Sequence, residues 1–192
     1  MTSTEAWRRE VGRKAVHVSM MVLPLWIYFA PPPWSARGPV LAFLALLSVD
    51  VLRLGSPAVH RWFEVRIGAY LRPDEHRGLI RMHWLSGAAA LLAMAAPPAV
   101  AALAMADLVF GDAAAALVGR RWGRRRRGGK SLEGSAACFA VCVAAGLLIL
   151  PGAWAAVLVS ALVATGIEAA PLPVDDNLAV PLGAAAVLLW IV

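Results

Sequence analysis

Cysteine is nearly absent. The chain of 192 residues holds two, Cys138 and Cys142. That excludes a disulfide framework. The two thiols lie four residues apart in an apolar stretch, on one helix face. No histidine or third cysteine lies nearby to complete a metal site, so they read as small buried hydrophobes. Charge is missing from long blocks of the chain, which is 60% hydrophobic where soluble domains are nearer half. The apolar blocks alternate with basic loops, which excludes a single soluble core and predicts a polytopic membrane protein. Also missing is a small-x-small cleavage site between the basic region Arg8–Lys14 and Pro31. The first apolar block therefore reads as a membrane helix, not as a removable signal. Neither a repeat nor a disordered tail is present, and residues 1–192 read as one domain.

The predicted fold class is all-α, a polytopic membrane helix bundle. Seven apolar spans are expected, over 15–30, 38–54, 83–96, 99–119, 135–150, 153–170 and 177–192. Several fall short of the ~20 residues of a full span, and flanking Arg, Lys and Trp side chains that snorkel offset part of the deficit. Pro97-Pro98 and Pro151-Gly152 read as tight turns, although 83–119 also reads as one broken helix. Basic residues are scarce on one side. With the N-terminus inside, the cytoplasmic segments 1–14, 53–82, 120–134 and 171–176 hold 17 of the 18 Lys and Arg residues. Arg37 alone falls outside. This asymmetry is the positive-inside signature. It also accounts for the net charge of +6 without nucleic acid, through the inner leaflet and anionic substrates. The expected location is the cell membrane, multi-pass, with the chemistry on the cytoplasmic side. In 55–82, Trp62, Phe63, Ile67, Tyr70 and Leu71 recur at helical spacing among charges. This predicts an amphipathic helix lying on the membrane or packed beneath it.

A glycine is missing from the segment that most resembles a phosphate loop. A G-x-x-x-x-G-K-[ST] loop ending at Gly129-Lys130-Ser131 needs glycine at 124, where the chain has Arg124. Such a loop also follows a strand, whereas a membrane helix precedes this one. A P-loop is excluded, yet exposed backbone N–H groups of Gly128 and Gly129, with Lys130, still suit phosphate oxygens. Carboxylates are few enough to be informative. Asp107 and Asp112 lie within the fourth span, where a charge costs ~2.5–3.5 kcal/mol and marks function by default. Their spacing of five sets them roughly 140° apart on the helix. Asp112, nearer the Lys130 loop, is the stronger candidate, and Asp107 also reads as a helix–helix hydrogen bond. Glu133, Glu168 and the run Asp175-Asp176-Asn177 fall at the same predicted face, with a solvated turn and helix cap as the lesser alternative for the run alone. Carboxylates gathered with a lysine and arginines are what a magnesium–nucleotide site requires. Arg13, Lys14 and His17 share one helix face, with His17 able to relay a proton or bind phosphate. Asp50 and Arg53 are an i,i+3 pair or ligand contacts, and Arg72 and Glu75 are similarly open. His60, His76 and His83 show no ligand spacing.

These motifs resemble the CTP-dependent lipid kinase family of dolichol kinase, phytol kinase and CTP-dependent diacylglycerol kinase, more distantly similar to CDP-diacylglycerol synthases. The resemblance runs through Arg13-Lys14-x-x-His17, Asp50 with Arg53, Arg72 with Glu75, Gly111-Asp112 to Gly119, Lys130-Ser131-Leu132-Glu133-Gly134-Ser135, and Glu168 with Asp175-Asp176-Asn177. It implies transfer of the γ-phosphoryl group of CTP, with Mg²⁺, to the hydroxyl of a polyprenol, phytol or diacylglycerol. Carried over, it implies catalytic roles for Asp112, Lys130, Glu133 and His17. Nucleotide contacts would come from Lys14, Gly119, Arg120, Gly128, Gly129, Lys130, Ser131, Gly134 and Ser135. Metal contacts would come from Asp112, Glu168, Asp175 and Asp176, with Asp50, Arg53, Glu75, Asp107 and Asn177 as further site candidates. The Ser-Pro-Lys-Lys-Thr-like segment of the cytidylyltransferases is absent, which favours the kinase. A CTP:phosphatidate cytidylyltransferase is the alternative enzyme, and a small transporter or proton channel carrying Asp107 and Asp112 is the alternative outside enzymology. Small-residue helix faces permit a homodimer.

Overall fold

The computed structural model describes residues 3–127 and 129–192. Nine α-helices carry most of the described chain: α1 Ser3–Ser19, α2 Val22–Phe29, α3 Trp34–Gly55, α4 Pro57–Ile67, α5 Met82–Ala95, α6 Pro98–Trp122, α7 Leu132–Ile149, α8 Trp154–Ala169 and α9 Asp176–Ile191. The one strand pairing among the described residues is a two-residue antiparallel ribbon, β1 Arg126–Arg127 and β2 Lys130–Ser131. The fold is all-α.

Punctuation sets the helix ends. Pro97 and Pro98 separate α5 from α6, so 83–119 holds two helices, with Pro98 at the first helical position where its missing N–H costs nothing. Pro151 and Gly152 divide α7 from α8. Six of the expected spans match helices to within four residues at either end. The first span does not. Residues 15–30 are split between α1 and α2 at Met20-Met21. Pro24 has no N–H to give the Met20 carbonyl, and its ring crowds that position. The chain turns there through tighter bonds instead, from Met20 N to the His17 carbonyl and from Leu23 N to the Met20 carbonyl. The expected amphipathic helix is also shorter than 55–82. It occupies α4 and a 3-10 turn over Gly68–Tyr70, and the chain to residue 81 is irregular.

The core forms around α6, which packs against α1, α2, α5, α7, α8 and α9. Its Leu103, Met105, Leu108 and Val109 are fully buried. The close approach of α7 requires glycine: a Cβ on Gly134 would lie 2.7 Å from the Ala115 carbonyl oxygen. Outward faces are apolar, with Leu148 and Trp190 more than four-fifths exposed. Among the described residues three helices, α3, α6 and α7, are long and apolar enough to cross a membrane, where seven spans are expected from sequence. The turns at Pro97, Pro151 and 170–175 hold α5, α8 and α9 to 14, 16 and 16 residues. At 1.5 Å per residue these reach only ~21–24 Å of a hydrocarbon layer about 30 Å thick.

Candidate functional site

Six elements meet where α1, α6, α8 and α9 approach the β2–α7 junction. On α1, Lys14 and His17 lie one turn apart and face α6. Lys14 Nζ donates to Asp112 Oδ2 at 2.5 Å, and His17 Nε2 lies 3.3 Å from the same oxygen. That His17 contact is not aligned as a hydrogen bond, so Nε2 is buried without a partner among the described residues. Burying charge demands pairing, and Asp112, mostly buried itself, has Lys14 for that purpose.

The second pairing lies across the helix ends. Lys130 Nζ donates to Glu168 Oε1 at 2.7 Å and to Asp176 Oδ2 at 3.2 Å, joining β2 to α8 and α9. Partial burial works against its charge, but the two carboxylates outweigh that and hold the ammonium above its usual range. Local chemistry fixes the loop. Gly129 takes a left-handed φ of +86°, which glycine adopts without strain. Ser131 caps α7, its Oγ accepting from Gly134 N at 3.1 Å. Asp175 caps α9, accepting from Asn177 N at 3.0 Å, and lies 3.4 Å from Arg81.

Two cavities flank Asp112, and it lines both. One, of about 650 Å³, is bounded by Glu10, Gly119, Arg120, Gly129, Lys130, Ser131, Gly134, Ser135 and Glu168. The other, of about 420 Å³, is bounded by Arg13, Lys14, His17, Arg72, Glu75, Arg81, Asp175, Asp176 and Asn177, with an apolar wall from α1, α3, α4 and the turn after it. Both fall in the size range of ligand pockets, ~300–1,000 Å³.

The structure thus gathers Lys14, His17, Asp112, Gly119, Arg120, Gly129, Lys130, Ser131, Gly134, Ser135, Glu168, Asp175, Asp176 and Asn177 around one pair of cavities. Gly128 lies outside the described residues. Glu133 borders neither cavity. Asp107 is fully buried away from both and accepts from Ser160 Oγ at 2.6 Å, a link between α6 and α8. Asp50 and Arg53 border neither cavity and form a buried pair, Nε donating to Oδ1 at 2.5 Å. Arg53 also donates to the Gly78 carbonyl at 2.6 Å, and Asp50 accepts from Ile80 N at 2.8 Å. Glu75 borders the smaller cavity, but both its oxygens are spent on backbone N–H groups, of Arg72 at 2.7 Å and Arg81 at 2.8 Å.

Sequence reasoning passed over two groups. Glu10, 4% exposed, pairs with Arg13 and with Arg120 Nη2 at 3.0 Å. The signal was available, since Glu10, Lys14 and His17 recur at four and three residues on one helix face. Arg81 reaches the site through Asp175, and only long-range packing brings it there.

Among the described residues, no group of three or more His, Cys, Asp and Glu side chains is close enough to hold a metal by itself. The candidate metal donors Asp112, Glu168, Asp175 and Asp176 offer hard carboxylate oxygens. That suits Mg²⁺, which takes one or two carboxylates and completes its shell from phosphates and water. No family model matches the chain. An uncharacterized protein of Rickettsia prowazekii (strain Madrid E) is 24% identical over 189 residues, covering 93% of each chain. No solved structure matches.

Proposed function

We propose that the chain is an integral-membrane lipid-alcohol kinase that transfers the γ-phosphoryl group of CTP. The observation that carries the reading is Asp112, which lines two adjoining cavities. One is lined by the glycine–lysine loop, suited to phosphates; the other is partly apolar. In this reading the triphosphate occupies the larger cavity. Its oxygens meet the backbone around Gly129, the Ser131 and Ser135 hydroxyls, Lys130 and Arg120. Lys130 then exchanges part of its pairing with Glu168 and Asp176 for phosphate oxygens, which frees carboxylate oxygens at the same moment. Mg²⁺ bound with the nucleotide would be held by Asp112 with Glu168, Asp175 or Asp176, and would neutralise phosphate charge.

The lipid alcohol occupies the smaller cavity with its hydroxyl near Asp112. Its oxygen forms the new bond to the γ-phosphorus, the bond to the β-phosphate breaks, and CDP leaves with the electron pair. The hydroxyl proton passes to His17 Nε2, held beside Asp112 for that transfer. The reading places seven crossings in the bilayer with the N-terminus cytoplasmic, counting α1–α2 as one and letting the short α5, α8 and α9 draw the bilayer thinner. It takes α4 as a surface helix, with Trp62 and Val65 turned outward. Support comes from the charge asymmetry, since Lys14, Arg72 and Lys130 at these cavities belong to the basic segments of the sequence.

The test is turnover by the purified protein with Mg²⁺, CTP and a panel of lipid alcohols, followed as CDP release. Asp112→Asn is expected to abolish release while the variant stays folded, with its melting temperature lowered by the lost charge beside Lys14. Full activity in Asp112→Asn ends the assignment, and pyrophosphate in place of CDP points to cytidylyl transfer.

A further inference from the structure

The smaller cavity has a charge arrangement that a neutral alcohol does not require. Four cations border it: Arg13, Lys14, Arg72 and Arg81. Three are paired inside the protein. Arg13 meets Glu10, Lys14 meets Asp112, and Arg81 meets Asp74 and Asp175. The carboxylates facing Arg72 are engaged as well. Glu75 accepts two backbone N–H groups, Asp175 caps α9 and meets Arg81, and Asp176 meets Lys130. Arg72 is left as a half-buried guanidinium with no carboxylate in ion-pair range among the described residues.

Its position is built, not incidental. Glu75, 6% exposed, clamps the Arg72 backbone N–H, and the buried Asp50–Arg53 pair ties the same loop to α3. On the same cavity, His17 presents a buried Nε2 that lies 3.3 Å from Asp112 Oδ2 and has no hydrogen-bond partner among the described residues. Behind both stands an apolar wall that includes Val16, Met20, Phe63 and Ile67. A planar guanidinium suits phosphate oxygens bidentately.

We propose that this cavity is a lipid-monophosphate site, in which Arg72 and His17 hold a phosphate monoester whose apolar chain lies against that wall. The proposal rests on the kinase reading for one consequence: the phosphoryl group arrives beside Arg72, so the cavity holds the product more tightly than the acceptor. The ligand chemistry is the same for a product of the chain's own reaction and for free phosphate, and the experiment separates them.

The probes are a long-chain isoprenoid monophosphate and its parent alcohol, titrated without nucleotide against the wild-type chain, Arg72→Gln and Arg72→Lys in detergent. Inorganic phosphate serves as competitor, and CTP binding reports on the other cavity. The monophosphate is expected to bind roughly tenfold or more tighter than the alcohol. Arg72→Gln is expected to lose that preference with alcohol and CTP affinities unchanged, and Arg72→Lys to retain part of it. Inorganic phosphate should displace the monophosphate poorly. Equal affinity for the two lipids in the wild type, an undiminished preference in Arg72→Gln, or displacement by inorganic phosphate at the lipid's own concentration overturns the proposal. A chain that prefers the monophosphate yet releases no CDP from CTP keeps this site and loses the kinase reading.

Discussion

Replacing Asp50 with alanine removes one half of a fully buried ion pair, and the cost follows from its surroundings. Asp50 is 1% exposed and Arg53 is not exposed at all. The substitution takes away the acceptor of Arg53 Nε at 2.5 Å and of Ile80 N at 2.8 Å. The guanidinium keeps its bonds to the His76 and Gly78 carbonyls and its stacking over Phe63, but its charge is left uncompensated. Breaking a buried pair from one side costs about 3–5 kcal/mol. For a chain of this size each kcal/mol moves the melting temperature by roughly 2–4 °C. The expected fall is therefore roughly 6–20 °C. Asp50→Asn keeps an acceptor for Ile80 N and should lie between, near ~2 kcal/mol. The assay is thermal unfolding of the purified chain in one detergent, followed by tryptophan fluorescence. Because the pair ties down the loop bearing Arg72 and Arg81, lipid turnover should fall further than CTP affinity. A melting temperature for Asp50→Ala within about 2 °C of wild type would refute the reasoning, since a buried charge cannot lose its partner so cheaply.

Other substitutions probe the remaining parts. Gly134→Ala sets a Cβ 2.7 Å from the Ala115 carbonyl oxygen, and this overpacking of α6 on α7 is expected to cost ~1–3 kcal/mol in a denaturation curve. Asp107→Asn keeps a partner for Ser160 away from both cavities, so turnover should match wild type and stability should change by less than about 1 kcal/mol; loss of turnover would return Asp107 to the site. Lys130 has its basicity raised by Glu168 and Asp176 despite partial burial. The sign follows: its stabilising contribution is complete below the unfolded lysine value of ~10.4 and fades as pH rises through the higher folded value. The melting difference between wild type and Lys130→Met should then stay flat from pH 7 to about 10 and shrink above it; a difference that fades near neutrality contradicts this pairing.

Much of the fold is legible in the chain because its signals are local. Apolar blocks end at Pro97, Pro151 and the 170–175 turn, and the helices end there too. Pro24 lies inside the first apolar block and splits it into two helices. Crossing length was harder to read, since tight turns trim α5, α8 and α9 below a full span. At the site, residues recognisable by type and spacing, such as Lys14, His17, Asp112 and Lys130, come together. Partners fixed by long-range packing were not legible: Glu10 with Arg120, and Arg81 with Asp175, lie far apart in sequence. Asp50, Arg53 and Glu75 look like site chemistry in sequence and shape a loop in the structure, because burial and backbone acceptors leave no trace in residue type.

The most direct measurement uses CTP labelled at the γ-phosphate, Mg²⁺, the purified chain and a long-chain lipid alcohol, with extraction into organic solvent. The account predicts label in the lipid phase as a monoester, in proportion to CDP formed, and its loss in Asp112→Asn. Label remaining wholly in water as CTP, or released as pyrophosphate, contradicts it.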